Sequence, residues 1–130
     1  MKLASIKIRL YAFIVDLIAP VGTICYFAYT QHDRFHYYFR NTLLVYILLY
    51  AIMISMYGKT IGCKLFNISI VRADNGKRLS IIRSLLRQFA LYNVPIVFIS
   101  IFFPGFKVKN QFGWDVLSGS VVVNDQLKAK

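Results

Sequence analysis

The chain has 130 residues, 58% of them apolar, which is a larger share than ordinary soluble domains carry. Sixteen lysines and arginines stand against five acids, all of them aspartates, and the net charge is +11. Such a charge fits nucleic acid or anionic lipid, but the long charge-free apolar runs favour a bilayer with anionic lipid headgroups and argue against nucleic acid.

The first predicted element is a membrane-spanning helix over residues 10–29. The residues before it carry Lys2, Lys7 and Arg9, and the excess of positive charge predicts a cytoplasmic N-terminus. The run is too long for a removable signal peptide and lacks a small-residue cleavage pattern. We therefore expect it to stay in the membrane as one span.

Asp16 is the one charged residue in this span. An ionised carboxylate in a bilayer is costly unless it is paired, faces protein or water, or takes up a proton. Arg9 lies seven residues earlier, close to two helical turns, so both side chains leave on roughly the same face, with Ala12 near it. Two interpretations stay open: a site for a cation or proton, and a structural ion pair that orients the helices.

A second span is predicted over residues 42–57, after an outer aromatic connection over residues 30–41. Residues 58–87 then carry seven lysines and arginines against Asp74 alone, which predicts a cytoplasmic position. The expected basic interface for anionic headgroups or a partner consists of Lys59, Lys64, Arg78, Arg83 and Arg87.

Two elements are predicted within this basic stretch. Residues 65–71 partly alternate and are rich in Ile and Val, which is typical of a short strand, and a turn follows at 74–76. Ser80 can cap a helix that would lie in the inner interface. The apolar face of that helix comprises Ile81, Ile82, Leu85, Leu86 and Phe89, with Arg83 and Arg87 as a basic stripe beside it.

The uncharged segment 88–106 gives conflicting signals, because Pro95 interrupts it and lysines follow it. We expect a bent third span or a re-entrant element, which leaves the side of the C-terminus open. Residues 121–123 are a β-prone valine run that could pair with residues 65–71 in a small cytoplasmic sheet. The fold class is therefore an all-α membrane protein, one domain over residues 1–130, with a possible small β element.

No pattern indicates catalysis, a cofactor or a metal site. His32 and His36 lack a third ligand beyond Asp33, and interfacial polar residues are the better interpretation of them. Gly58-Lys59-Thr60 resembles the end of a phosphate-binding loop, but Met53 stands where its first glycine should be. We expect no enzyme activity, no cofactor and no metal.

Taken together, these stretches resemble the RDD family of bacterial membrane proteins, named for one arginine and two aspartates. The resemblance rests on Arg9-x2-Ala12-x3-Asp16, Gly58-Lys59-Thr60-Ile61-Gly62, Leu65-Phe66, Ile70-Val71, Asp74-x-Gly76, Leu79-Ser80, Arg83-x3-Arg87 and Asp115-x-Leu117-Ser118-Gly119-Ser120-x-Val122-Val123. It covers most of the chain in the right order. Members often have His before the closing aspartate, where Trp114 stands here.

The resemblance implies a polar triad, functional or structural, of Arg9, Asp16 and Asp115, and a location in the bacterial cytoplasmic membrane. Transport of an unassigned ligand has been proposed for the family, and cation/proton antiport is associated with some members. Two hypotheses follow. One is a transport component acting as a homo-oligomer or together with a larger membrane protein partner. The other is a non-catalytic accessory or immunity-type protein that binds another membrane protein.

Overall fold

The computed structural model describes residues 3–92, 115 and 118–125. In chain order they form helix α1 (Ile6–Thr30), a 3-10 turn (His32–Arg34), helix α2 (Phe35–Tyr57), helix α3 (Ile61–Leu65), strand β1 (Ile68–Arg72), helix α4 (Ile81–Tyr92) and strand β2 (Ser120–Asn124). The described part of the chain is mostly helical, as the composition predicts.

The two long helices α1 and α2 are apolar enough to cross a membrane. Their 25 and 23 residues correspond to about 37 Å and about 34 Å, which exceeds the ~30 Å hydrocarbon core of a bilayer. Their large side chains point outward: Ile18 is 66% exposed and Leu48 is 52% exposed. Exposed apolar surface of this kind suits contact with lipid.

Both helices begin earlier than predicted. Helix α1 starts at Ile6, where Ser5 caps it by accepting from the Ile8 N–H, so the helix extends four residues before the predicted span of residues 10–29. Helix α2 starts at Phe35 instead of residue 42, and the outer connection shrinks to residues 31–34. The aromatic residues from Phe35 onward, which were predicted as part of the connection, belong to α2, because no proline or glycine interrupts the helix there. One of them, Tyr38, stacks on Phe27 of α1 with 4.7 Å between the ring centroids.

A two-stranded antiparallel sheet joins β1 and β2, with Ile70 opposite Val122. The predicted pairing of the two β-prone runs is thus confirmed. The first strand begins at Ile68 and not at residue 65, because Leu65 is the last residue of α3. The N-terminus extends the sheet: Leu3 bridges Val123, and the Ala4 N–H donates to the Val122 carbonyl at 2.9 Å. That the sheet lies on the cytoplasmic side of the membrane stays a prediction.

The core lies where the inner face of the sheet meets the ends of α1 and α2. Its buried members come from α1, α2, α3 and both strands, and their contacts connect the strands to these helices. They are Ala4, Ala12, Ile54, Cys63, Ile68, Ile70, Leu79 and Val122.

Helix α4 is amphipathic with its polar face inside. Ile82 is 69% exposed and Phe89 53%, whereas Ser84, Arg87 and Gln88 are buried. Ser80 accepts from the Arg83 N–H at 3.4 Å, as predicted for a helix cap. The apolar face of α4 is exposed, as contact with lipid requires. The predicted basic stripe of Arg83 and Arg87 is wrong for Arg87, because this side chain is buried.

The position of α4 also differs from a helix lying flat on the membrane surface. Just before α4, Arg78 donates to the Met56 carbonyl near the end of α2, at 2.6 Å. Further along, Tyr92 lines a groove with Ile47 in the middle of α2. Helix α4 therefore runs alongside α2, because only a protein neighbour can cover its polar face. Residues 93–106 of the predicted third apolar segment lie outside the described residues.

Candidate functional site

A buried charge cluster joins three separate parts of the chain. Asp115 is 0% exposed and lies between Arg9 of α1 and Arg87 of α4. The Arg9 guanidinium contacts Asp115 Oδ2, and Arg87 Nε donates to Asp115 Oδ1 at 3.1 Å. Ser120 also donates to Oδ1, at 3.5 Å, and Ser118 donates to the Asp115 carbonyl at 3.2 Å. Buried charges need pairing and hydrogen bonds of this kind.

Asp16 has different partners. Its Oδ2 accepts from the Thr60 hydroxyl at 2.5 Å, and its Oδ1 accepts from the Gly62 N–H at 2.8 Å. Thr60 in turn caps α3 by accepting from the Cys63 N–H at 3.3 Å. The two groups that hold this carboxylate are uncharged, although Arg9 leaves α1 on the same side.

The contact between α1 and α3 needs glycine at position 62. A Cβ atom there would stand 2.0 Å from the Ala12 carbonyl oxygen, which is far inside van der Waals contact. Ala12, 2% exposed, supplies the matching small surface on α1. The close approach places the Gly62 N–H within reach of Asp16, so backbone packing and carboxylate binding depend on each other.

A cavity of about 50 Å³ lies between these groups. All four helices contribute to its wall, and Ile68, Ile70 and Val122 of the sheet contribute as well. The polar or titratable side chains that line it are Arg9, Asp16, Tyr50, Thr60, Cys63, Arg87, Gln88 and Tyr92. Tyr50 also donates to the Asp16 carbonyl at 2.7 Å. Gln88 is 1% exposed, and its Oε1 accepts no hydrogen bond among the described residues.

Comparison with known proteins identifies the chain. The sequence model of the RDD family matches residues 3–119. The chain belongs to the RDD family. No curated protein and no solved structure matches it. Family membership and the two long apolar helices together make this a small membrane protein.

The predicted triad of this RDD protein is divided in the structure. Arg9 and Asp115 are in contact, while Asp16 lines the same cavity as Arg9 and is held by α3 and its cap. The prediction that Arg9 and Asp16 share a face of α1 is confirmed, because both line that cavity. The structural ion pair considered between them is instead formed by Arg9 with Asp115.

The predicted basic interface of the RDD protein loses one member and keeps others at the surface. Arg87 is 7% exposed and belongs to the charge cluster, because Asp115 draws its guanidinium inward. Lys64 and Arg78 are exposed, whereas Lys59 contacts Asp125. Arg83 is partly exposed, with its guanidinium beside Gly119, so four of the five keep some exposure.

Two groups outside the long helices have altered acidity. Burial raises the pKa of the Cys63 thiol, because the thiolate would lose its hydration. Hydrogen bonds from Arg72 lower the pKa of the exposed Asp74 carboxyl in the turn after β1. Within the described ranges, no group of three or more His, Cys, Asp or Glu side chains could hold a metal ion.

Sequence reasoning did not assign Thr60, Gly62 or Gln88 to the site. Thr60 and Gly62 were noticed as parts of a loop motif, but nothing in their spacing points to Asp16, 44 and 46 residues earlier. A signal for Gln88 did exist. It follows Ser84 and Arg87 on one face of an otherwise apolar helix, and such a polar stripe in a membrane protein faces the interior.

Proposed function

We propose that this RDD protein is a component of cation or proton transport in the bacterial cytoplasmic membrane, with Asp16 as the residue that binds the ion. The observation that carries the proposal is the environment of that carboxylate. It lines a cavity and is held by uncharged donors, so no fixed cation neutralises it directly. Acids at membrane depth commonly mark ion or proton pathways.

In this proposal the Arg9–Asp115–Arg87 cluster has a positioning role. It ties α1, α4 and the segment before β2 together, so the walls of the cavity keep their separation.

Oligomerisation follows from the number of helices. The described residues contain two long apolar helices and the shorter α4, and even with a third span such a chain has too few helices to enclose a pathway across a bilayer by itself. We therefore propose a homo-oligomer in which cavities of neighbouring copies line a shared route. The mass of the purified protein in mild detergent tests this, and a strict monomer would contradict it.

The direct test is ion flux into proteoliposomes containing Asp16→Asn. The asparagine keeps the size of the side chain and its acceptor for the Gly62 N–H but removes the titratable charge. We expect flux to fall by about tenfold or more, because a relay group is lost. Asp74→Asn, in an exposed turn outside both long helices, is the matched control and should transport normally. Undiminished flux in Asp16→Asn would contradict the proposal.

A second candidate is a non-catalytic accessory or immunity-type protein that binds another membrane protein. It is favoured by the fact that both oxygens of Asp16 accept hydrogen bonds from α3 or its cap, as in a structural clamp. Under this hypothesis Asp16→Asn would disappear from the membrane instead of losing flux. A defined complex with a second membrane protein in mild detergent would favour this role.

The proposed orientation places the N-terminus and residues 58–87 in the cytoplasm, where Lys64 and Arg78 would contact anionic lipid headgroups. Labelling of a Lys77→Cys variant, free of the two native cysteines, tests it. We expect a membrane-impermeant maleimide to label this site only after cells are opened. Labelling of this cysteine from outside in intact cells would contradict the proposed orientation.

A further inference from the structure

The cavity beside Asp16 has unused hydrogen-bond acceptors on two opposing elements. Gln88 Oε1 of α4 is buried and accepts nothing among the described residues. Each oxygen of the Asp16 carboxylate accepts one described bond and has room for another. Buried acceptors are normally satisfied, and acceptors that face a common void call for a ligand that donates hydrogens to both.

The size of the cavity limits that ligand. A water molecule needs roughly 10–15 Å³ of free space, so about 50 Å³ has room for a few waters and for little else. The formal charges near it balance, with Arg9 and Arg87 opposite Asp16 and Asp115. A neutral donor therefore occupies it without adding an uncompensated charge to a partly buried site.

We propose that this cavity binds ordered water joining Asp16 to Gln88, and that the ion taken up at Asp16 is a proton and not a sodium ion. In the uptake step, a hydronium ion gives its proton to a carboxylate oxygen of Asp16 and leaves a water molecule in the cavity. The water site stands on the geometry alone, whereas the choice of ion rests on the proposed transport function.

The choice of a proton follows from the ligands available. Hard metal cations bind several oxygen atoms at once and lose hydration only where protein oxygens replace it. Here the described part of the wall holds one carboxylate, that of Asp16, and its other oxygen atoms belong to neutral groups, while the guanidinium groups of Arg9 and Arg87 line the same cavity and disfavour a second cation. A proton needs one carboxylate oxygen and no coordination shell.

Several titratable or charged groups surround Asp16 and would shift its proton affinity. They come from every helix packed around the cavity: Arg9, Tyr50, Cys63, Arg87 and Tyr92, with Asp115 behind the two arginines. Water that hydrogen-bonds to the protonated acid would support uptake among these groups.

Radiolytic hydroxyl-radical labelling in ¹⁸O-water tests the water site in the intact protein in nanodiscs. Cys63 and Tyr50 line the cavity and are only 6% and 4% exposed, so they gain ¹⁸O only from water held inside. We expect both to be labelled in the natural sequence. Gln88→Leu should lower their labelling about fivefold or more, because it removes an acceptor and fills the space. Leu86→Ala, on the exposed face of α4, should leave it unchanged.

Absence of label at Cys63 and Tyr50 in the unaltered protein would overturn the water site, whether or not Gln88→Leu folds.

The ion is tested separately by exchanging sodium for choline in proteoliposomes that carry an internal pH dye. We expect proton flux to change less than about twofold, since the two guanidiniums that line the cavity disfavour a sodium ion there. Sodium-dependent flux, or sodium-22 binding that Asp16→Asn abolishes, would overturn the choice of a proton. Labelled water without any flux would contradict the transport function and leave the water site standing.

Discussion

Asp16 and Asp115 are acids of the same kind in different electrostatic surroundings. Asp115 is fully buried and lies between two guanidiniums, with a serine as an additional donor. Asp16 is half-buried, lines the cavity and is held by a hydroxyl and a backbone N–H. The comparison indicates a division of labour. The ion-paired acid connects three elements, whereas the acid held by neutral donors is the one that the proposed function assigns to ion binding.

The energetic consequences of removing each acid should therefore differ. Loss of one member of a buried ion pair leaves the other charge without compensation, which is among the most destabilising single changes known. Loss of a hydrogen bond to a neutral donor has a smaller effect on stability. The following variants are arranged by the size of the change expected, and each breaks or sharpens this contrast.

Asp115→Ala should have the largest effect on stability. It leaves Arg9 and Arg87 buried side by side with no carboxylate between them, and we expect a loss of about 3–5 kcal/mol in the free energy of unfolding. Thermal unfolding in detergent, together with the amount of protein in the membrane, measures this. Asp74→Ala removes an exposed acid and is the control. Stability equal to the natural protein would show that the cluster is not a lock.

Gly62→Ala should have the next largest effect. The new methyl group would stand 2.0 Å from the Ala12 carbonyl, so α1 and α3 must separate, at an expected cost of about 1–3 kcal/mol. The same shift would weaken the bond from Gly62 to Asp16. Gly22→Ala is a matched control in α1, because a Cβ there meets no atom within 4 Å. Equal stability of the two variants would contradict the close packing described here.

Thr60→Val should cost about 1–2 kcal/mol, because it removes both the hydrogen bond to Asp16 and the cap of α3 while keeping the shape of the side chain. Thr60→Ser keeps the hydroxyl and should recover most of the stability. Comparing ion flux in the two variants sharpens the contrast further. If Thr60→Val alters stability but leaves flux unchanged, the neutral donors act only on the fold.

The smallest effect is expected from titration of Cys63. Burial raises the pKa of this thiol, so it stays protonated in the folded protein at pH values where the unfolded chain is already ionised. Its contribution to stability is complete below the ordinary pKa of a thiol and is lost as the pH rises towards the folded value. In a Cys25→Ala background, alkylation should be slow in mild detergent and fast in denaturant. Equally fast alkylation in both would contradict the burial.

Much of the architecture could be predicted from local patterns. The two apolar runs predicted two long helices, and the RDD family was identified from the order of short motifs across the chain. The Ile- and Val-rich run and the distant valine run predicted the sheet, because β-prone residues without charge need a partner strand. The ends of the long helices were predicted less well, since aromatic residues occur both in interfacial belts and within helices.

The sequence by itself determined that this is a membrane protein with one acid deep in its first helix, since hydropathy and charge are properties of contiguous residues. Only the tertiary structure decided which charges meet. Arg9 pairs with Asp115, 106 residues away, and Arg87 turns inward to the same carboxylate. Asp16 instead binds Thr60 and Gly62. The physical reason is that pairing depends on the packing of whole elements against one another, and sequence separation carries almost no information about it.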